Sequence, residues 1–74
     1  MKIKHVEIGR LITVHNYTNY DEIINVGMIQ QIIKHPEIID REIHVKFIME
    51  PKIIRYNEQR LLRLLNRNQS FKYV

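Results

Sequence analysis

With 74 residues and no cysteine, the chain has room for one domain, residues 1–74. Disulfides and thiolate metal sites are excluded, so stability must come from an apolar core or from self-association. Hydrophobic residues make up 45% of the chain, enough for a core, but so small a domain has no room to enclose a large cofactor, and none is expected. The formal charge of +4 is uneven: residues 1–50 carry six basic against seven acidic side chains, residues 51–74 six against one.

No stretch approaches the roughly 18–20 apolar residues of a membrane span. The first ten residues lack the apolar run of a secretory signal. No membrane partner is expected, and a cytoplasmic location is. Isoleucine occurs 14 times and alanine never, a bias that AT-rich coding DNA would give, as in a low-GC bacterium, its phage or plasmid, or an organelle. Its physical effect is to replace the best helix former with a β-branched residue, stiff at χ1 and suited to strands.

In chain order, the first expected strand is Val6–His15, with Val6, Ile8, Ile12 and Val14 on one face and a bend at Gly9. Asn16–Glu22 is polar and reads as a loop. Ile23–Lys34 is ambiguous. Ile24, Met28 and Ile32 stack at helical spacing, yet six Ile or Val residues and Gly27 favour a strand. His35-Pro36 ends that segment.

Glu42–Met49 is the clearest strand, with Ile43, Val45, Phe47 and Met49 alternating with Glu42, His44, Lys46 and Ile48. Glu50-Pro51-Lys52 reads as a tight turn leading to a short strand, Lys52–Tyr56. Asn57 is then a good N-cap for a helix over Glu58–Asn66, on which Leu61, Leu64 and Leu65 share a face and Arg60, Arg63 and Arg67 another. Residues 67–74, with Asn, Gln and Ser, read as a frayed tail.

The expected fold is therefore mostly β, about five short strands with a short C-terminal helix. The alternative is an α+β strand–helix–strand–helix domain. The segments Gly9-Arg10-Leu11-Ile12-Thr13-Val14, Val26-Gly27-Met28-Ile29, Ile43-His44-Val45-Lys46-Phe47 and Tyr56-Asn57-Glu58-Gln59-Arg60-Leu61-Leu62 together resemble an SH3-like small barrel. The likeness is to KOW-type modules and to the small ferredoxin-docking subunits of photosystems. It implies a closed barrel that recognises partners with its exterior. The chain departs from that pattern at Glu50-Pro51-Lys52, where an acidic-glycine turn is usual, and at the unusually apolar Ile23-Ile24.

Catalytic machinery is not visible. Ser70 is the only serine, Thr13 and Thr18 have no motif around them, and with Gly9 and Gly27 the only glycines no phosphate loop can form. Asp21-Glu22 and Asp40 with Glu42 read as solvated carboxylates. His5, His15, His35 and His44 lack metal-ligand spacing and read as solvated side chains, so no metal is expected.

Two binding readings remain. In the first, Arg60, Arg63 and Arg67, with Lys52, Arg55 and Lys72, neutralise the phosphates of a nucleic acid or ribonucleoprotein, or else an acidic protein surface. Tyr56, Phe71 and Tyr73 would then stack on bases. The row would equally serve as the solvated face of an amphipathic helix. In the second, Tyr17 and Tyr20 in the polar loop, with Ile38 and Ile39, contact a partner protein, making the chain a regulator or inhibitor. Ile38-Ile39 and Ile48 could also support a homodimer.

Overall fold

A computed structural model describes residues 2–74. They form β1 (Leu11–Asn16), β2 (Asn19–Ile33), β3 (Glu42–Phe47), β4 (Ile54–Asn57), α1 (Glu58–Arg67) and β5 (Phe71–Tyr73). The fold is mostly β, with the five strands in one antiparallel sheet ordered β4-β3-β2-β1-β5. The helix is not C-terminal but lies between β4 and β5, the two ends of the sheet.

β3 follows from its alternation: Ile43, Val45 and Phe47 are buried, while Glu42, His44 and Lys46 are only partly covered. The strand stops at Phe47, so Ile48 and Met49, expected within it, are exposed in the connection to β4. That connection is longer than the expected tight turn at Pro51, and β4 begins at Ile54.

The ambiguous isoleucine-rich segment is strand, and its glycine has a packing reason. A Cβ on Gly27 would lie 2.6 Å from the Phe47 ring and 2.9 Å from a Val45 methyl. Gly27 sits directly opposite Phe47 in the ladder, so the missing side chain is the space the ring occupies. β2 also curves. Straight, its 15 residues would span about 46 Å at roughly 3.3 Å each, more than the molecule's longest dimension of 41 Å. Bulges opposite His15 and at Gln30, between Ile29 and Gln31, lie along it.

β1 is shorter than expected because Gly9 makes a turn rather than a bend. Its φ of 89° is the left-handed conformation glycine adopts without strain, and the Arg10 N–H closes the turn on the Glu7 carbonyl. Val6 is consequently buried, whereas Ile8, expected on the same face, is exposed. The expected Asn16–Glu22 loop shrinks to the tight turn Tyr17-Thr18, with β2 already under way at Asn19.

Residues 67–74 are not a frayed tail. Asn68, Gln69 and Ser70 form a turn in which Asn68 accepts from the Ser70 N–H, and Phe71–Tyr73 pairs with β1. The end is pinned further: the Tyr73 hydroxyl accepts from the Glu7 N–H (2.8 Å), Arg10 stacks 4.7 Å over the Tyr73 ring, and Arg10 Nε donates to the Val74 carbonyl (2.7 Å). A polar composition suggested fraying, but strand pairing outweighs it.

The inner sheet face carries Ile12, Ile29, Ile43, Val45 and Phe47, and α1 closes over it with Leu61 and Leu65. Five of these side chains are fully buried, each contributing about 1.5–3 kcal/mol. α1 has Glu58 at its positive end and Arg67 at its negative end. Asn57 holds the N-cap position but its side chain caps nothing. Asp40, from the β2–β3 loop, accepts from the Gln59 N–H instead (3.1 Å), and the Arg41 carbonyl accepts from the Glu58 N–H (2.8 Å). Asp40→Ala is therefore expected to lower stability by about 1 kcal/mol, while Asn57→Ala changes it far less. Urea unfolding of the two variants checks the order.

Candidate nucleic-acid interface

α1 turns Leu61 and Leu65 inward and Arg60, Arg63 and Arg67 outward; Leu64, expected on the buried face, instead borders a hollow with Tyr20, Arg63 and Arg67. All three arginines are exposed, and none forms an ion pair among the described residues. The chain's start adds to this face. Lys2, Ile3 and Lys4 lie beside α1, held by Asn66, whose Oδ1 accepts from the Ile3 N–H (2.6 Å) and whose Nδ2 donates to the Ile3 carbonyl (2.8 Å). The same amide group donates to the Leu62 carbonyl (2.9 Å), fixing its orientation. Lys2 and Lys4 thereby line a shallow hollow together with Gln59, Arg63 and Arg67. Among the described residues, no carboxylate lines it.

Past Arg67 the face continues into a second hollow bordered by Tyr20, Asn68, Gln69, Phe71 and Lys72. The structure thus brings together Lys2, Lys4, Arg63, Arg67, Lys72 and Tyr20, with Arg60 one turn along the helix. Tyr20 was expected in a protein-binding loop, yet it stands beside Arg63 and Arg67. Lys52 and Arg55 do not join. They border a separate hollow with Gln30, His44 and Lys46 on the β3–β4 side. Lys2 and Lys4 were missed because residues 1–50 taken together are net acidic. Only the long-range bonds to Asn66 place them on the basic face.

The aromatic residues expected to stack on bases are otherwise engaged. Tyr56 and Phe71 are half-buried against the core, and Tyr73 lies beneath Arg10. Burial raises the Tyr56 hydroxyl above its ordinary value, with the nearby Arg60 charge opposing. The exposed tyrosines are Tyr17, 79% exposed at the turn tip, and Tyr20, 42% exposed. Ile38 and Ile39 are also exposed, in the β2–β3 loop.

His15 is not a solvated histidine. It is buried, and its Nδ1 donates to the Tyr20 carbonyl (2.6 Å) while Nε2 lies 2.8 Å from the Thr13 hydroxyl. A carbonyl only accepts, so the Nδ1 hydrogen is required. The ring thereby fastens the bulged end of the β1–β2 hairpin and positions Tyr20. Among the described residues, no three His, Cys, Asp or Glu side chains converge as metal ligands would.

The opposite end of α1 is tied by a charged pair. Arg41 donates from Nε to Glu58 Oε1 (2.9 Å) and from its terminal nitrogen to Oε2. These hydrogen bonds hold the Glu58 carboxyl below its ordinary value of 4.5 despite partial burial, and raise the Arg41 guanidinium. A depressed carboxyl stabilises the fold above its unfolded value, and the contribution fades as pH falls through the folded value. Arg41→Ala is expected to lower stability by about 1–2 kcal/mol near pH 7. The gap to the parent protein should close below about pH 4.5, as urea melts across that range would register. Glu42 is likewise depressed, first by its hydrogen bond with His44 (2.8 Å).

These features define a small mostly-β domain with one helix whose outer face is basic. Comparison with protein-family models, with curated protein sequences and with solved structures finds no match. The functional reading therefore rests on geometry and charge. No helix among the described residues is long and apolar enough to cross a membrane.

Proposed function

We propose that this chain is a non-catalytic binding module that docks nucleic acid, alone or within a ribonucleoprotein, on the face built by α1 and the N-terminal segment. The observation that carries this reading is the folding of Lys2 and Lys4 against Arg63 and Arg67 in a hollow lined by no described carboxylate. Gathering unpaired cations costs electrostatic self-repulsion, which a polyanion relieves. Guanidiniums supply paired donors suited to phosphate oxygens, and releasing condensed counterions drives association.

Tyr20 supports a single-stranded or unpaired segment over a regular duplex. It offers one exposed ring at the end of the cationic row, suited to stacking on a splayed base. A cytosolic setting, where such ligands are available, belongs to this proposal. So does the SH3-like assignment. The test is fluorescence anisotropy with labelled single-stranded and duplex oligonucleotides over a salt series. Salt-steep binding that favours the single strand is the expected outcome. Salt-insensitive binding, or none with any nucleic acid, overturns the proposal.

A further inference from the structure

β2 is longer than the strand that flanks it. On its β3 side, ladder pairing covers Gly27–Ile33. The Ile48 N–H reaches the Val26 carbonyl, and the Asn25 side chain accepts from the Met49 N–H. From Asn19 to Ile24 no described strand lies on that flank; β1, on the other, pairs with Asn19 and Ile23 while Tyr20, Asp21 and Glu22 bulge from its register, and all six residues are exposed. The outer edges of β4 and β5 offer four and three residues, so this is the longest open run in the sheet. An unpaired strand edge is a template for another extended chain.

We infer that this edge of β2 docks an extended, basic segment of a partner protein by strand addition. The occupant follows from the charges along the edge. Asp21 and Glu22 sit at its centre, and neither forms an ion pair among the described residues. Ile23 and Ile24 beside them are each about half exposed. A second copy pairing antiparallel about the centre of this run would set Asp21 opposite Glu22, and like charges facing each other across strands are unfavourable. Nucleic acid is repelled by the same two carboxylates. A strand with lysine or arginine opposite them and β-branched residues opposite the isoleucines meets both demands.

The edge meets the phosphate face at Tyr20, but Asp21 and Glu22 border none of the hollows lined by Arg63 and Arg67, and the peptide and oligonucleotide titrations let the two proposals fail separately. The probe is a capped eight-residue peptide made of two Val-Val-Lys-Lys repeats, which sets a lysine pair opposite Asp21 and Glu22 and a valine pair opposite Ile23 and Ile24, titrated into isotope-labelled protein and followed by amide chemical shifts. The protein is itself net positive, so bulk charge opposes this probe and favours its glutamate–valine counterpart. Shifts confined to Tyr20–Asn25 with the basic peptide are expected. Asp21→Lys with Glu22→Lys should weaken that binding by about tenfold or more, from two attractive cross-strand pairs turned repulsive. A peptide N-methylated on its ladder-forming nitrogens should not bind, while replacing Arg60, Arg63 and Arg67 by alanine should not weaken the binding. The inference is overturned by absent shifts, by shifts centred elsewhere, by indifference to charge reversal, or by equal binding of the methylated peptide.

Discussion

Replacing Arg60, Arg63 and Arg67 together by alanine is expected to flatten the dependence of log affinity on log salt by about two to three units. Each lost phosphate contact removes just under one released counterion. Raising salt from about 50 to about 200 mM should therefore cost the variant roughly thirtyfold less affinity than the parent. The fold should survive, because the three side chains are exposed, pair with no described carboxylate and lie opposite the buried Leu61 and Leu65. An unchanged circular-dichroism spectrum would confirm that.

Two companion variants locate the site. Lys2→Ala with Lys4→Ala should flatten the slope by about one to two further units, because Asn66 holds both lysines beside the arginine row. Lys52→Ala with Arg55→Ala should leave it unchanged, because those cations lie on another side of the sheet. If Lys52 and Arg55 carried the salt dependence instead, the interface would be misplaced.

Filling the space above Gly27 should have the largest effect on stability. A Cβ there meets the Phe47 ring at 2.6 and 2.7 Å, and Phe47 is itself 2% exposed within the core, so the ring has little room to withdraw. Gly27→Ala is expected to cost about 1–3 kcal/mol by overpacking, and Gly27→Val more. In a domain this small, each kcal/mol lowers Tm by about 4–8 °C. Phe47→Leu alone destabilises by leaving space. Combined with Gly27→Ala it should cost less than the two changes summed, by about 1 kcal/mol, because the added methyl occupies what the ring vacates. Strict additivity in thermal and urea melts would refute the packing account.

What could be read from the residues depended on range. β3 was plain because Ile43, Val45 and Phe47 alternate with polar partners over six residues, a local pattern tertiary context had no reason to override. α1 was plain for the same reason, with Leu61 and Leu65 one turn apart and no helix breaker between Glu58 and Arg67. β2 was harder, since its isoleucines satisfy two periods, and Gly27 decided for strand through a close approach to Phe47.

Features made by distant partners were not legible. Phe71–Tyr73 looked like a tail because β1, almost sixty residues earlier, supplies its hydrogen bonds. The helix cap was assigned to the adjacent Asn57, whereas Asp40 performs it from another loop. The basic face was half read. The arginine row is written in the helix, but Lys2 and Lys4 reach it through Asn66, and no short-range pattern announces such a tether. Lys52 and Arg55 were grouped with the row on sequence proximity, which the turn into α1 undoes.

The curved strand β2 has a consequence for how the molecule comes apart. Among the described strands it is the sole hydrogen-bonded link between a wing made of β1 and β5 and a wing made of β3 and β4. Neither wing owns a private interior: Ile12 from one and Ile43, Val45 and Phe47 from the other belong to a single cluster. Prising open the middle of β2 thus dissolves both wings at once, and amide protons there should escape only when the whole domain melts. Toward Asn19, where one flank is bare, the same strand peels back for a small fraction of that free energy.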